Sequence, residues 1–106
     1  MPTIVEDDGC VFPVSGRAGD VLDALVGAAR EAGAELRCGV KVKRVLLDEA
    51  GTTVRGVETD SGEIIKAKRV ILAAGGRCKP ELGSDGSGFA MARDLGLKVT
   101  PIYPAL

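Results

Sequence analysis

With 106 residues, 45% of them hydrophobic, the chain can close one modest core, so a single domain is the most that its length allows. Its 15 acidic and 14 basic residues leave a net charge of −1, which gives no bulk field to attract nucleic acid or an anionic membrane. Three separate cysteines fit neither a disulfide framework nor a zinc site and favour a reducing cytoplasm, and the absence of a membrane-spanning run or signal-peptide pattern predicts a protein without a membrane partner.

The first clear element along the chain is a helix. Residues 1–9 are acidic and lack a regular apolar pattern, so we predict no element there and expect them to be poorly ordered. From Asp20 onward, apolar residues recur at the spacing of a helix that buries one stripe: Val21, Leu22, Leu25, Val26 and Ala29. Asp20 is the predicted N-cap and Gly33 the predicted stop.

A β-meander is predicted in the middle of the chain, after a short strand candidate at 34–38. Three segments have the strand pattern: 40–47, 52–59 and 63–67. The turn sequences between them are short enough to make neighbouring strands antiparallel. Strict alternation fails around Gly56, where we predict a β-bulge.

A candidate ligand-binding segment follows the meander. The unbroken apolar run 70–74 predicts a strand covered on both faces, as in a parallel sheet, and it ends at a pair of glycines. Backbone N–H groups there can approach a bulky anionic ligand, and open sheets bind ligands beyond the carboxyl ends of their strands. The leading candidate cofactor contacts are therefore Ala73, Ala74, Gly75 and Gly76. The alternative is a tight turn that needs a left-handed residue.

The glycine-rich stretch 83–88 precedes a predicted helix at 89–95, which Gly96 ends, and a last strand is predicted at 97–100. A helix start of this kind can hold a phosphate. The glycines do not follow the dinucleotide-binding order and no P-loop lysine is present, so a simple helix cap is the favoured interpretation. Without histidine, the usual serine or cysteine triad cannot be built, and we assign no catalytic residue and no metal site.

Five segments, taken in chain order, share the pattern of one known family: 11–18, 20–25, 71–76, 83–89 and 104–106. Together they resemble the BaiN/HI0933-like flavoproteins, which are NAD(P)/FAD-dependent oxidoreductases or aminoacetone oxidase-like proteins. The resemblance implies an α/β fold in which residues 1–106 form a single partial FAD-binding domain, Rossmann-like and of the glutathione-reductase type, with the antiparallel meander. It also implies an internal fragment, because the family's opening G-x-G-x-x-G motif and its late glycine-rich segment beside the flavin are not found.

The same resemblance places Val42 where the strand entering the meander meets the adenine side through backbone groups, and residues 73–76 where the sheet approaches the cofactor. It implies a flavin-dependent oxidoreductase as the parent protein, with FAD as cofactor, NAD(P)H as electron donor and an unassigned small-molecule substrate. The chain alone is expected to be inactive, to lose FAD and to self-associate through uncovered apolar surface. The alternatives are a non-catalytic nucleotide- or protein-binding module and a fragment of a fumarate-reductase-like flavoprotein.

Overall fold

The structure, a computed structural model, describes residues 1–104, so the last two residues of the 104–106 motif lie outside the described residues. The chain divides into two compact units, Met1–Gly39 and a second that begins at Val40. No helix within the described part is long and apolar enough to cross a membrane.

The first unit begins with a β-hairpin that the sequence pattern did not reveal. Strand β1 (Thr3–Val5) pairs in antiparallel fashion with β2 (Val11–Pro13). The carboxylate of Asp8 accepts a hydrogen bond from the backbone N–H of Cys10 (2.8 Å), which lowers the pKa of Asp8 and fixes the connecting turn. Strands of three residues are too short to show a period, which is why β1 was missed.

Helix α1 spans Ala18–Glu31 and confirms the predicted helix, although it begins earlier than expected. Arg17 occupies the N-cap position, so the prediction of Asp20 as N-cap is wrong. Asp20 lies in the first turn, where its carboxylate accepts a hydrogen bond from the Ser15 hydroxyl and complements the positive end of the helix dipole. Gly33 adopts φ 83° just beyond the helix and ends it as predicted.

The apolar stripe of α1 is not buried, contrary to the sequence-based expectation. None of the helix residues is buried, and Leu25 is 66% exposed. Within the first unit α1 packs against β2, and three residues cannot cover a helix of 14 residues. The predicted strand at 34–38 is also absent, because no described segment pairs with it.

The second unit contains the predicted antiparallel meander. Strands β3 (Val42–Leu47), β4 (Val54–Thr59) and β5 (Ile64–Lys66) lie side by side in that order. Each strand is slightly shorter than its predicted segment. The order β3-β4-β5 leaves β3 and β5 as the two edge strands.

Side-chain hydrogen bonds fix both turns of the meander. Between β3 and β4, the carboxylate of Asp48 accepts hydrogen bonds from the backbone N–H groups of Thr52 (2.9 Å) and Thr53 (3.2 Å), which lower its pKa. Between β4 and β5, the Thr59 hydroxyl accepts a hydrogen bond from the Glu63 N–H (3.1 Å). Thr59 is 2% exposed, so this hydroxyl is buried and satisfied.

The predicted bulge lies one residue before its expected place. Gly56 is opposite Leu46, and the next pair joins Val54 to Leu47, so Arg55 is the extra residue of β4. The break in apolar alternation that suggested the bulge therefore has this origin.

Helix α2 spans Ser87–Asp94, and the positive φ of Gly96 follows it, which confirms the predicted helix and its stop. It packs against β3 and buries Met91. The strands predicted at 70–74 and 97–100 are absent from the described residues. A parallel strand needs hydrogen-bonding neighbours, none of the described residues forms a ladder with 70–74, and Ile71 is 91% exposed.

Candidate functional site

Four of the predicted cofactor contacts form an irregular segment of the second unit, exposed at 73–75 and half-buried at Gly76, which we call the Gly-Gly segment (residues 73–76). The carbonyl oxygen of Gly76 accepts a hydrogen bond from the N–H of Gly86 (3.0 Å). Within residues 1–104, none of the four backbone N–H groups of the segment is paired with an acceptor. The segment therefore contains four unpaired backbone donors, groups of the kind that bind anionic or polar ligand atoms.

The two glycines of this segment differ in what the fold requires of them. Gly75 adopts φ 76°, and a Cβ placed on it would lie 3.0 Å from the Ser84 hydroxyl oxygen. The turn alternative therefore accounts for this glycine without a ligand. A Cβ on Gly76 would meet Cys78 Sγ at 3.9 Å, an ordinary contact. The described residues do not require glycine at position 76, and this leaves room there for a close ligand approach.

The glycine-rich stretch, here called the glycine loop (residues 83–88), packs against the Gly-Gly segment. A Cβ on Gly88 would lie 3.2 Å from the Cβ of Ala74, and one on Gly86 would lie 3.2 Å from the Cβ of Arg77. Gly88 is buried at this contact. Glycine in the loop thus allows the first turn of α2 to approach the segment closely.

A carboxylate already occupies the start of α2. Asp85 Oδ1 accepts a hydrogen bond from the backbone N–H of Ser87 (3.0 Å). Hydrogen bonds from Ser87, followed by one from Lys41, hold the pKa of Asp85 well below its usual range. A phosphate placed here would meet this negative charge, so the structure favours the helix-cap interpretation of the glycine loop.

Lys41 links the glycine loop to the entrance of the meander, and sequence reasoning missed this contact. Its Nζ lies 3.1 Å from Asp85 Oδ2, and this hydrogen bond raises the pKa of Lys41. The two residues are separated by 44 positions, and no local pattern in the sequence connects them.

Val42, the remaining predicted contact, is the first residue of β3 and lies opposite Thr59. The carbonyl of Lys41 accepts a hydrogen bond from the N–H of Asp60 (2.9 Å). Because successive residues of an antiparallel strand direct their backbone groups to opposite sides, the N–H and C=O of Val42 face away from β4, toward the open edge of β3. A contact through backbone groups is geometrically available to Val42.

No cluster of three or more histidine, cysteine or acidic residues that could hold a metal occurs between residues 1 and 104. The three cysteines are free and exposed. A groove of about 660 Å³ on the meander contains none of the predicted contacts, and its lining residues are Leu46, Thr53, Val54, Arg55, Ile64, Lys66, Ala67 and Lys68.

Comparison with known proteins identifies the family. The family model described as HI0933-like protein Rossmann domain matches residues 1–102. The chain belongs to the BaiN/HI0933-like family. Membership confirms the resemblance seen in the sequence over the fumarate-reductase-like alternative, and it agrees with the α/β content of the structure.

A curated relative gives the scale of the match. The chain is 39% identical over 98 residues to a 3-dehydro-bile acid delta(4,6)-reductase of Clostridium scindens. The aligned region covers 92% of this chain and 23% of that reductase. The chain thus spans less than a quarter of the length of this BaiN/HI0933-like relative.

Proposed function

We propose that this chain forms part of the FAD-binding domain of a flavin-dependent oxidoreductase, with the architecture of the glutathione-reductase type. The observation that carries the proposal is the set of unpaired backbone donors of the Gly-Gly segment, in a chain that matches a Rossmann family over residues 1–102. The name of the relative, a reductase, supports the redox class. FAD, when bound, supplies the electron-transfer chemistry, and NAD(P)H is the proposed donor.

The residues of this chain bind and orient the cofactor in this proposal. Ala73, Ala74, Gly75 and Gly76 offer backbone N–H groups to its polar or anionic atoms. Gly76 permits a close approach of the cofactor, and the described fold itself does not require glycine at this position. Val42 contributes its outward backbone groups at the open edge of β3, on the adenine side.

Replacement of Gly76 by valine tests the proposal in the longer protein that carries this segment. Because an added Cβ at position 76 meets Cys78 Sγ at an ordinary 3.9 Å and the backbone there is not left-handed, Gly76→Val should leave the melting temperature of the apoprotein nearly unchanged. It should weaken FAD affinity at least about tenfold, a change worth roughly 1.4 kcal/mol of binding free energy. Flavin fluorescence titration and thermal unfolding of the apoprotein measure the two quantities separately.

The matched control is Gly19→Val on α1, where nothing lies within 4 Å of an added Cβ. This variant should bind FAD like the wild type. Unchanged FAD affinity in Gly76→Val would remove the Gly-Gly segment from the cofactor site. Failure of the unmodified protein to bind FAD would remove the proposed function as a whole.

A further inference from the structure

We propose that Lys41 and Asp85 are positioning residues, whose ion pair holds the glycine loop so that the Gly-Gly segment presents its free N–H groups to the cofactor. The inference rests on the proposed function and adds two residues to it. Neither residue belongs to the Gly-Gly segment, and in this inference both act on the cofactor through that segment.

The pair is anchored at its Lys41 end by the meander. The backbone carbonyl of Lys41 accepts the N–H of Asp60 (2.9 Å) at the entrance of β3. Its ammonium group spans the gap to Asp85 Oδ2 at 3.1 Å. A residue whose backbone is hydrogen-bonded to the meander thereby holds a loop that is distant in sequence.

At the other end, the two oxygens of Asp85 have different partners. Oδ2 receives Lys41, while Oδ1 accepts the N–H of Ser87 at the start of α2. Gly86 lies between Asp85 and Ser87 in the chain, and its own N–H donates to the Gly76 carbonyl (3.0 Å). The position of Asp85 therefore determines the position of the Gly86 N–H, which donates to the Gly-Gly segment.

Packing between the glycine loop and the Gly-Gly segment adds to this connection. A Cβ on Gly88 would come within 3.2 Å of Ala74 Cβ and 4.0 Å of the Gly75 carbonyl oxygen. A displacement of the loop would consequently move the segment or open this contact. A continuous series of contacts thus runs from the meander to the proposed cofactor donors, through Lys41, Asp85, Gly86 and Gly76.

The competing interpretation is an ordinary surface ion pair with no effect on the site. Both side chains are partly exposed, and pairs of this kind contribute little to stability. Removal of the pair should accordingly leave the melting temperature of the apoprotein within about 2 °C of wild type. An effect on FAD affinity without an effect on unfolding is the result that separates positioning from plain stabilisation.

The first experiment compares Lys41→Met with Lys43→Met and Lys41→Arg in the longer protein that carries this segment. Lys43 has no ion-pair partner among the described residues, which makes it a matched control. We expect Lys41→Met to weaken FAD affinity about three- to tenfold, Lys43→Met to have no effect, and Lys41→Arg to restore wild-type affinity. Equal affinities in Lys41→Met and Lys43→Met would overturn the inference.

Asp85→Asn separates positioning from a direct contact between Lys41 and the cofactor. Asparagine keeps an oxygen for the Ser87 N–H but loses the charge that holds Lys41. If the pair positions the loop, Asp85→Asn weakens FAD binding as Lys41→Met does. If Lys41 itself binds the anionic cofactor, Asp85→Asn frees the lysine and tightens binding, which would refute the inference.

Amide hydrogen exchange of Gly86 in the apoprotein gives a readout that does not depend on FAD. Exchange should be faster in Lys41→Met than in wild type or Lys43→Met, because the Gly86 N–H to Gly76 carbonyl bond opens more often. Unchanged exchange would overturn the inference while leaving the proposed function intact. Loss of FAD binding in Gly76→Val with no change in Lys41→Met would have the same meaning.

Discussion

Gly56 of β4 lies opposite Lys66 of β5 at a distance that only glycine permits. A Cβ added to Gly56 would lie 3.0 Å from the α-carbon of Lys66 and closer still to the carbonyl oxygen of Ile65. Gly56 also adopts φ 148°, a backbone conformation that other residues rarely enter. Both obstacles are backbone, so a side-chain rotation cannot relieve them.

Gly56→Ala should therefore destabilise the chain by roughly 1–3 kcal/mol or more, through strain and displacement of β5. Gly27→Ala on α1 is the control, since nothing lies within 4 Å of an added Cβ there. It should stabilise by about 0.5–1 kcal/mol through helix propensity. Thermal or urea unfolding measures both, and changes of the same sign would contradict the close approach.

A second prediction concerns Gly75, whose φ of 76° and contact with Ser84 make a side chain costly with or without cofactor. Gly75→Val should lower the stability of the apoprotein by about 1–3 kcal/mol, whereas Gly76→Val should not. Adding Ser84→Ala removes the 3.0 Å clash but not the unfavourable φ, so it should restore part of the loss. Full restoration would show that the clash alone requires glycine.

Acid titration tests the Asp85 contacts. The pKa of Asp85 is lower in the folded chain than in the unfolded chain, so its stabilising contribution is complete above the unfolded pKa, about 3.9, and is lost as pH falls further. The difference in melting temperature between wild type and Asp85→Asn, which we expect to stay within about 2 °C, should be constant above about pH 5 and shrink below about pH 4. A difference that grows on acidification would contradict the assigned contacts. Lys41 stays protonated throughout this range, because its pKa is raised.

The uncovered apolar run 70–74 leads to a prediction about association. Ile71 is 91% exposed, and we expect the chain to self-associate through this surface when studied alone. Ile71→Glu should reduce the associated fraction in light scattering. Leu25→Glu, at a 66% exposed site on α1, should reduce it less. A monodisperse wild-type monomer at high concentration would contradict this expectation.

Elements stabilised by local interactions were readable from the sequence. The helical spacing of α1, the short turns of the meander and the glycine after α2 each carry their signal within a few residues. Strand patterns also occur in three segments that form no strand: 34–38, 70–74 and 97–100. A strand needs a neighbouring backbone for hydrogen bonding, and the local sequence does not specify one. The pattern thus predicted the capacity to form strands but not their partners.

The candidate site shows the same division. The sequence shows the glycine pair at 75 and 76 as a break after an apolar run. It does not show that the fold requires glycine at 75 and not at 76, because this depends on φ and on contacts distant in sequence. The ion pair of Lys41 and Asp85 spans 44 positions and has no sequence signature. The cap formed by Asp85 was suggested only in general terms, as a helix start.

The order β3-β4-β5 has a consequence for the sequence of folding events. Each strand pairs with its nearest neighbour along the chain, so the loops closed are short and the entropy lost in closing them is small. We expect the meander to be the folding nucleus of the second unit. The Gly-Gly segment gains its contacts from the glycine loop, whose position depends on Lys41 at the entrance of β3. The proposed cofactor-binding backbone should consequently become ordered in the last stage of folding, and mutations there should alter the unfolding rate more than the folding rate.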